Sequence, residues 1–186
     1  MGPPVSGTNV KTERLDLIAG TLDLARADIE NRAEFARLLG ARVPESWPPP
    51  LNDEESMAWS ARFLNENRDG VGWGCWYFVL RRGPEGGRVA VGMGGFRGKP
   101  DADGTVEVGY SVLEEFQEVG YATEAVKGLL GWAFGDPAIR RVIAETYPDL
   151  TPSIRVLTKN GFVEIGAGSE PGVIRFELSR PPQVLP

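Results

Sequence analysis

The residues of this chain best placed to do chemistry lie between Val106 and Phe134, in the stretch VEVGYSVLEEFQEVGYATEAVKGLLGWAF. A strand-like segment passes through a short acidic bend into Gln117-Glu118-Val119-Gly120-Tyr121-Ala122, and then into an apolar-periodic helix. The first amides of a helix lack intrahelical partners and sit at the positive end of its dipole, so a turn of this kind meets anions well. Gly120 lets the backbone approach a phosphate with no Cβ in the way. Ala122 is small for the same reason, and Thr123 adds a hydroxyl. Phosphate on a cofactor is the natural ligand. Upstream, alternation puts Val106, Val108 and Tyr110 on one strand face and Glu107, Gly109 and Ser111 on the other. A carboxylate inside a strand is costly unless exposed, paired or used, which singles out Glu107.

Composition narrows the chemistry further. Histidine is absent and Cys75 is the single cysteine. Ser-His-Asp and Cys-His nucleophile systems, histidine general bases and ordinary zinc sites are thereby excluded, and no metal is expected. Cys75 opens the apolar run CWYFVL and is expected as a buried structural thiol. One cysteine allows no internal disulfide, which agrees with a cytoplasmic protein. A net charge of −6 argues against general nucleic-acid binding, which needs a basic footprint, and favours cationic partners such as amines. No signal peptide and no bilayer-spanning run is expected.

The elements that must position these residues follow from periodicity. The 186 residues suit a single domain, 13–180, between loose tails at 1–12 and 181–186. Arg14–Ala19 alternates as a first strand, and a helix is expected from Asp28 to about Gly40. The run VPESWPPPL, 43–51, can be neither helix nor central strand. Asn52 or Asp53 caps a second helix running to about Asn67. Strands are expected at Trp76–Arg81, Val89–Phe96 and Val106–Val112, with Gly109 as a candidate bulge that splays the last from its neighbour. Then come a helix at Thr123–Phe134, a strand at Arg140–Thr146, a short helix at Ser153–Asn160, and closing strands at Phe162–Ile165 and Val173–Leu178. This order implies an α/β mixed sheet with helices on its faces.

Two motifs give this order a family likeness. QEVGYATEA, 117–125, matches a [Q/R]-x-x-G-x-[G/A] loop that opens a helix, and SIRVLTKNGF, 153–162, matches a Ser-centred helix ending in Gly-Phe. Together they resemble the GNAT acyltransferase superfamily, and within it the branch that includes the ribosomal-protein N-terminal acetyltransferases. The likeness covers about Thr12 to Ser179. It implies a mostly antiparallel twisted sheet flanked by helices, and acetyl-CoA as acyl donor. The amides of Val119, Gly120, Tyr121, Ala122 and Thr123 would then hold the pyrophosphate, assisted by Gln117. The backbone around Val112 would pair with the pantetheine arm like an added strand. Two departures stand out: Glu118 and Val119 replace cations common in this loop, and Leu150 stands where the family often has Asn.

The same likeness implies direct attack of an amine on the thioester carbonyl. Glu107 is the expected base, directly or through water. Ser153 either protonates the leaving sulfur or merely caps its helix, and Tyr147 is the alternative acid. Trp47, beside Pro48-Pro49-Pro50, either walls the acceptor site or packs as an anchor; Phe96 and Arg97 would face the same cleft. An α-amino group, with a pKa of about 8, deprotonates at roughly 3 kcal/mol less cost than a lysine at about 10.4, so a protein or peptide N-terminus is the favoured acceptor. A small-molecule amine is the next reading, and a non-catalytic acyl-CoA-binding module the third. A homodimer is a family habit.

Overall fold

A computed structural model of the chain describes residues 8–181. The ends of the two expected tails, 1–7 and 182–186, lie outside the described residues. The strands are β1 (Asn9–Lys11), β2 (Leu15–Ala19), β3 (Cys75–Leu80), β4 (Val89–Phe96), β5 (Thr105–Val112), β6 (Arg141–Thr146), β7 (Val163–Ala167) and β8 (Ile174–Ser179). They form one sheet in the order β1-β2-β3-β4-β5-β6-β8-β7, antiparallel throughout except for the central pair β5 and β6. The helices are α1 (Leu22–Glu30), α2 (Arg32–Leu39), α3 (Glu54–Glu66), α4 (Tyr121–Phe134) and α5 (Thr151–Lys159), with a 3-10 turn at Glu114–Phe116.

β3 is apolar along its whole length because both of its faces are covered. Tyr77, on one face, meets Phe35 of α2 edge-on at 5.0 Å. Trp76, on the other, meets Trp132 of α4 at 5.2 Å. Register carries these faces across the sheet: Tyr77, Met93 and Ser111 are paired in line, as are Trp76, Gly94 and Tyr110. Ser111 thus shares the face of α1–α3, and Tyr110 shares the face of α4.

Several expected boundaries move. Sheet pairing begins at Asn9, inside the stretch read as a tail, because Asn9–Lys11 pairs with Asp16–Ile18. The helix expected from Asp28 is two helices, broken at Asn31. There the Asn31 N–H closes α1 on the Ala27 carbonyl, while its side chain accepts from the Glu34 N–H to open α2. α5 begins at Thr151, with Pro152 in its first turn. Gly109 is not a bulge, since β4 and β5 stay in register through Gly95 and Gly109. The extra residue is Val91 in β4, between Gly92 opposite Phe78 and Ala90 opposite Val79.

The proline-rich run is fastened from beneath. Trp47 is 4% exposed, packs against Phe35 and Tyr77, and donates from Nε1 to Asp28 Oδ1 at 2.7 Å. The Arg32 guanidinium holds the carbonyls of Pro44, Glu45 and Trp47. Burial pushes the Asp28 carboxyl up from 3.8 to about 6, against the opposing pull of bonds from Trp47 and Tyr77 and of the Arg32 charge. The folded protein therefore binds this proton more tightly than the unfolded chain. Its stability falls as pH rises from about 4 to 6, and the full penalty remains above that. Asp28→Asn lacks this slope. Measured by urea denaturation, its stability relative to the parent should improve by on the order of 2 kcal/mol between pH 4 and pH 7.

Candidate active site

The site is built where β5 and β6 part. They are paired only over Thr105–Glu107 against Arg141–Ile143. Beyond that point β5 is held by β4 alone among the described strands, in register to Val112. Arg97 N–H donates to the Glu107 carbonyl and Leu113 N–H to that of Val91, so the odd-numbered residues of β5 direct their backbone groups at β4. By alternation, those of Tyr110 and Val112 face the gap. The side-chain amide of Gln117 donates to the Val112 carbonyl at 2.9 Å. That bond ties the loop to the end of the strand and leaves the Val112 N–H as its group facing the gap.

The loop after the strand has the backbone form of an anion cradle. Glu118 and Gly120 both have positive φ, 64° and 89°, the left-handed half of the pairings that make anion-binding nests. Gly120 precedes α4, and no side chain caps that helix. The amides of Tyr121, Ala122 and Thr123 form its first turn, where no intrahelical acceptor exists. α5 also starts without a side-chain cap, because Leu150 occupies its cap position and has no polar atom to offer. Asn160, at the far end of α5, donates to the Thr123 carbonyl at 3.2 Å and joins the two helices.

Candidate chemical groups line both faces of β5 at the gap. On the α1–α3 face, Glu107 is 23% exposed and pairs with Arg97 Nε at 3.2 Å; the Arg97 side chain is 71% exposed. Burial raises the Glu107 carboxyl above its ordinary value, the Arg97 charge draws it back, Glu145 raises it further, and Arg175 opposes. Next to it, a side chain on Gly109 would meet nothing within 4 Å, so the glycine leaves a hollow between Glu107 and Ser111. The Ser111 hydroxyl bonds the Pro50 carbonyl, and Ser46 bonds Glu115, so the proline-rich run borders that hollow.

On the opposite face, the Tyr110 hydroxyl donates to the Ser153 carbonyl at 3.0 Å and lies 3.2 Å from Ser153 Oγ. Burial pushes the Tyr110 phenol up to about 12, with the Ser153 bond opposing. Ser153 sits inside the first turn of α5 and is not its cap. Tyr147 is half-exposed near the end of β6.

Two expected acceptor-site residues are elsewhere. Trp47 is a core anchor, and Phe96 is 2% exposed between Trp73 and Trp132 on the α4 face. Arg97, in contrast, is exposed and pairs with Glu107. Sequence reasoning missed Tyr110, Glu145 and Arg14. Tyr110 shares its strand face with the buried Val106 and Val108, and alternation alone does not set it apart from them. Arg14 packs its guanidinium over the Tyr121 ring at 4.5 Å and bonds Glu124, a contact between elements 110 positions apart that no local pattern signals.

Known proteins share this fold. A family model described as an acetyltransferase (GNAT) domain matches residues 21–163. The uncharacterized N-acetyltransferase YjdG of Bacillus subtilis (strain 168) is 28% identical over 158 residues, which is 83% of this chain and 89% of YjdG. The ribosomal-protein-S5-alanine acetyltransferase of Vibrio fischeri superposes with a TM-score of 0.63 at 20% identity, over 94% of this chain and 98% of its own. RimL, a ribosomal L7/L12 alpha-N-protein acetyltransferase solved with coenzyme A, superposes at 0.64 with 17% identity, over 92% of this chain and 98% of its own. At these identities the structural likeness is one of fold. The matched span runs from the cap of α1 to the start of β7 and takes in every element around the gap: the chain belongs to the GNAT acetyltransferase family and is an N-acetyltransferase with the GNAT fold.

Proposed function

We propose that this protein transfers the acetyl group of acetyl-CoA to a free α-amino group at the N-terminus of a protein or peptide, by direct attack in a ternary complex. The observation that carries this reading is the parting of β5 from β6 after Glu107, with a carboxylate on one face of the freed strand and a hydroxyl pair on the other. The pyrophosphate of the donor lies on the amides of Val119, Gly120, Tyr121, Ala122 and Thr123. Its pantetheine arm runs along the Tyr110 and Val112 backbone as an added strand. The thioester is thereby presented in the gap.

The acceptor comes from the α1–α3 face, over the hollow at Gly109. Its ammonium gives a proton to Glu107, directly or through one water, and the neutral amine attacks the thioester carbonyl. A C–N bond forms, the C–S bond breaks, and the thiolate leaves toward the other face. There the hydroxyl of Ser153, backed by Tyr110, hands its proton to the sulfur and is itself reprotonated by the proton that the attacking nitrogen sheds as the amide forms, and the uncapped start of α5 adds positive potential. The raised proton affinity of Glu107 suits this task, since a base works best when its pKa approaches the working pH. RimL and the Vibrio fischeri enzyme are named for ribosomal-protein acceptors, which supports an N-terminal acceptor here.

Thiol release with acetyl-CoA should be faster with peptides bearing a free α-amine than with the same peptides blocked at the N-terminus and offering only lysine. Faster turnover of free amino acids or aminated small molecules would transfer the assignment to that class, and tight CoA binding without turnover of any amine would remove it. Glu107→Gln should lower kcat/KM about 10²-fold. The activity that remains should lose the acidic limb that Glu107 contributes, since its ionised form, present above its pKa, is the active one. Gly109→Val adds volume where nothing stands within 4 Å. It should leave the melting temperature near that of the parent while lowering kcat/KM for peptide acceptors at least about tenfold by filling the hollow.

A further inference from the structure

Residues 117–123 contain no lysine or arginine, yet an arginine from another element is fastened to them. Arg14 immediately precedes β2 and reaches the start of α4 in three ways. Its Nε bonds Glu124 Oε2 at 2.7 Å, its Nη1 donates to the Val119 carbonyl at 2.9 Å, and its guanidinium carbon lies 4.5 Å from the centre of the Tyr121 ring. Glu124 is fixed in turn, because its Oε1 also accepts from the Thr12 hydroxyl and from the N–H groups of Arg14 and Leu15. The guanidinium is thus set from both sides and spans the helix start like a brace.

The bond to Val119 has a geometric consequence. In a trans peptide the carbonyl and the following N–H point in opposite directions. Drawing the Val119 oxygen to Arg14 turns the Gly120 N–H the other way, away from the guanidinium. Glu118, just before, holds φ at 64°, a conformation that a residue with a side chain keeps only where its surroundings over-determine it.

We infer that Arg14 is a positioning residue for the donor's pyrophosphate: it orients the Val119–Gly120 peptide so that the cradle's N–H groups face the anion, and it does this without touching the anion itself. The inference rests on the acetyl-CoA reading above. Its chemistry requires an arginine, because a planar fork can hold a carboxylate and a carbonyl at fixed angles together, whereas a lysine ammonium is a point charge on a flexible stem. The role is specific to phosphate. Pantetheine, which lacks the pyrophosphate, uses the β5 edge and has no need of the cradle.

The test is calorimetric titration of the full chain, as parent, Arg14→Gln and Arg14→Lys, with CoA and separately with pantetheine. Arg14→Gln should raise the Kd for CoA about tenfold, the weight of one hydrogen bond to a charged group. Its Kd for pantetheine should stay within about twofold of the parent. Arg14→Lys should lose nearly as much for CoA, and should be read alone by the same criteria if circular dichroism shows that Arg14→Gln does not fold. An unchanged Kd for CoA overturns the inference. So do equal losses for CoA and pantetheine, which would make Arg14 a support of the whole helix start. A parent protein that binds CoA no better than pantetheine overturns the donor reading itself, and the role of Arg14 with it.

Discussion

Much of this structure depends on one parallel strand pair inside an otherwise antiparallel sheet. Antiparallel neighbours can be joined by a tight turn, whereas parallel ones need a crossover, and here the crossover is α4. A crossover helix must begin near the carboxyl end of the strand that feeds it. The uncapped N-terminus of α4 therefore stands beside the end of β5 as a matter of topology. That is the place where ligands gather in sheets of this kind. Because β5 and β6 stay paired for only three residues each, the same strand end also offers an open backbone edge. The positive-φ loop and the open strand edge are adjacent because the chain has to turn back there.

Alternation along β5 then divides the chemistry. Neighbouring side chains of a strand point to opposite faces, so Glu107 and Tyr110, an odd number of positions apart, cannot share one. A strand free at one edge allows a ligand lying in its plane to meet a carboxylate from one side and a hydroxyl from the other. The two groups also differ in electrostatic setting. Glu107 sits among Arg97, Glu145 and Arg175, charges of both signs whose effects largely oppose one another, so that burial decides the direction of its shift. Tyr110 faces no such cluster. Burial raises its phenol further above an already high ordinary value, and its partner is the hydroxyl and carbonyl of a single serine.

What could be read from the sequence was what is local. The loop at 117–123 announces itself by a glycine before an apolar-periodic helix, and Glu107 by a charge within a strand, because each signal lies within a few residues of its cause. Trp47 and Phe96 show the limit of such reading. An aromatic beside prolines, or at a strand end, has the same sequence neighbourhood whether it walls a cleft or fills a core. Only the partners decide, here Phe35 and Tyr77 for one and Trp73 and Trp132 for the other. Gly109 was noticed for the wrong reason. A side chain on Gly109 would stand over an open face, while the register shift belongs to Val91 on the neighbouring strand. Asn31 hid a helix boundary because a single asparagine serves as the end of one helix and the cap of the next.

Both loops that border the gap are tied to neighbouring elements by polar side chains. On the acceptor side, Trp47 is held by Asp28, and the carbonyl of Pro50 by Ser111 of β5 itself. On the donor side, the Val119 carbonyl is held by Arg14 and the Val112 carbonyl by Gln117. In three of these four ties a side chain grips a backbone carbonyl, which fixes where the chain runs while leaving the neighbouring side chains free to differ. On the proposed function such a division would let residues in the proline-rich run change with the acceptor without disturbing Glu107. On the proposed function it also demands more of the loop at 117–123, whose working groups would be the amides themselves. There the orientation of a single peptide plane would matter as much as the identity of any side chain, and the brace from Arg14, just before β2, would become part of the site.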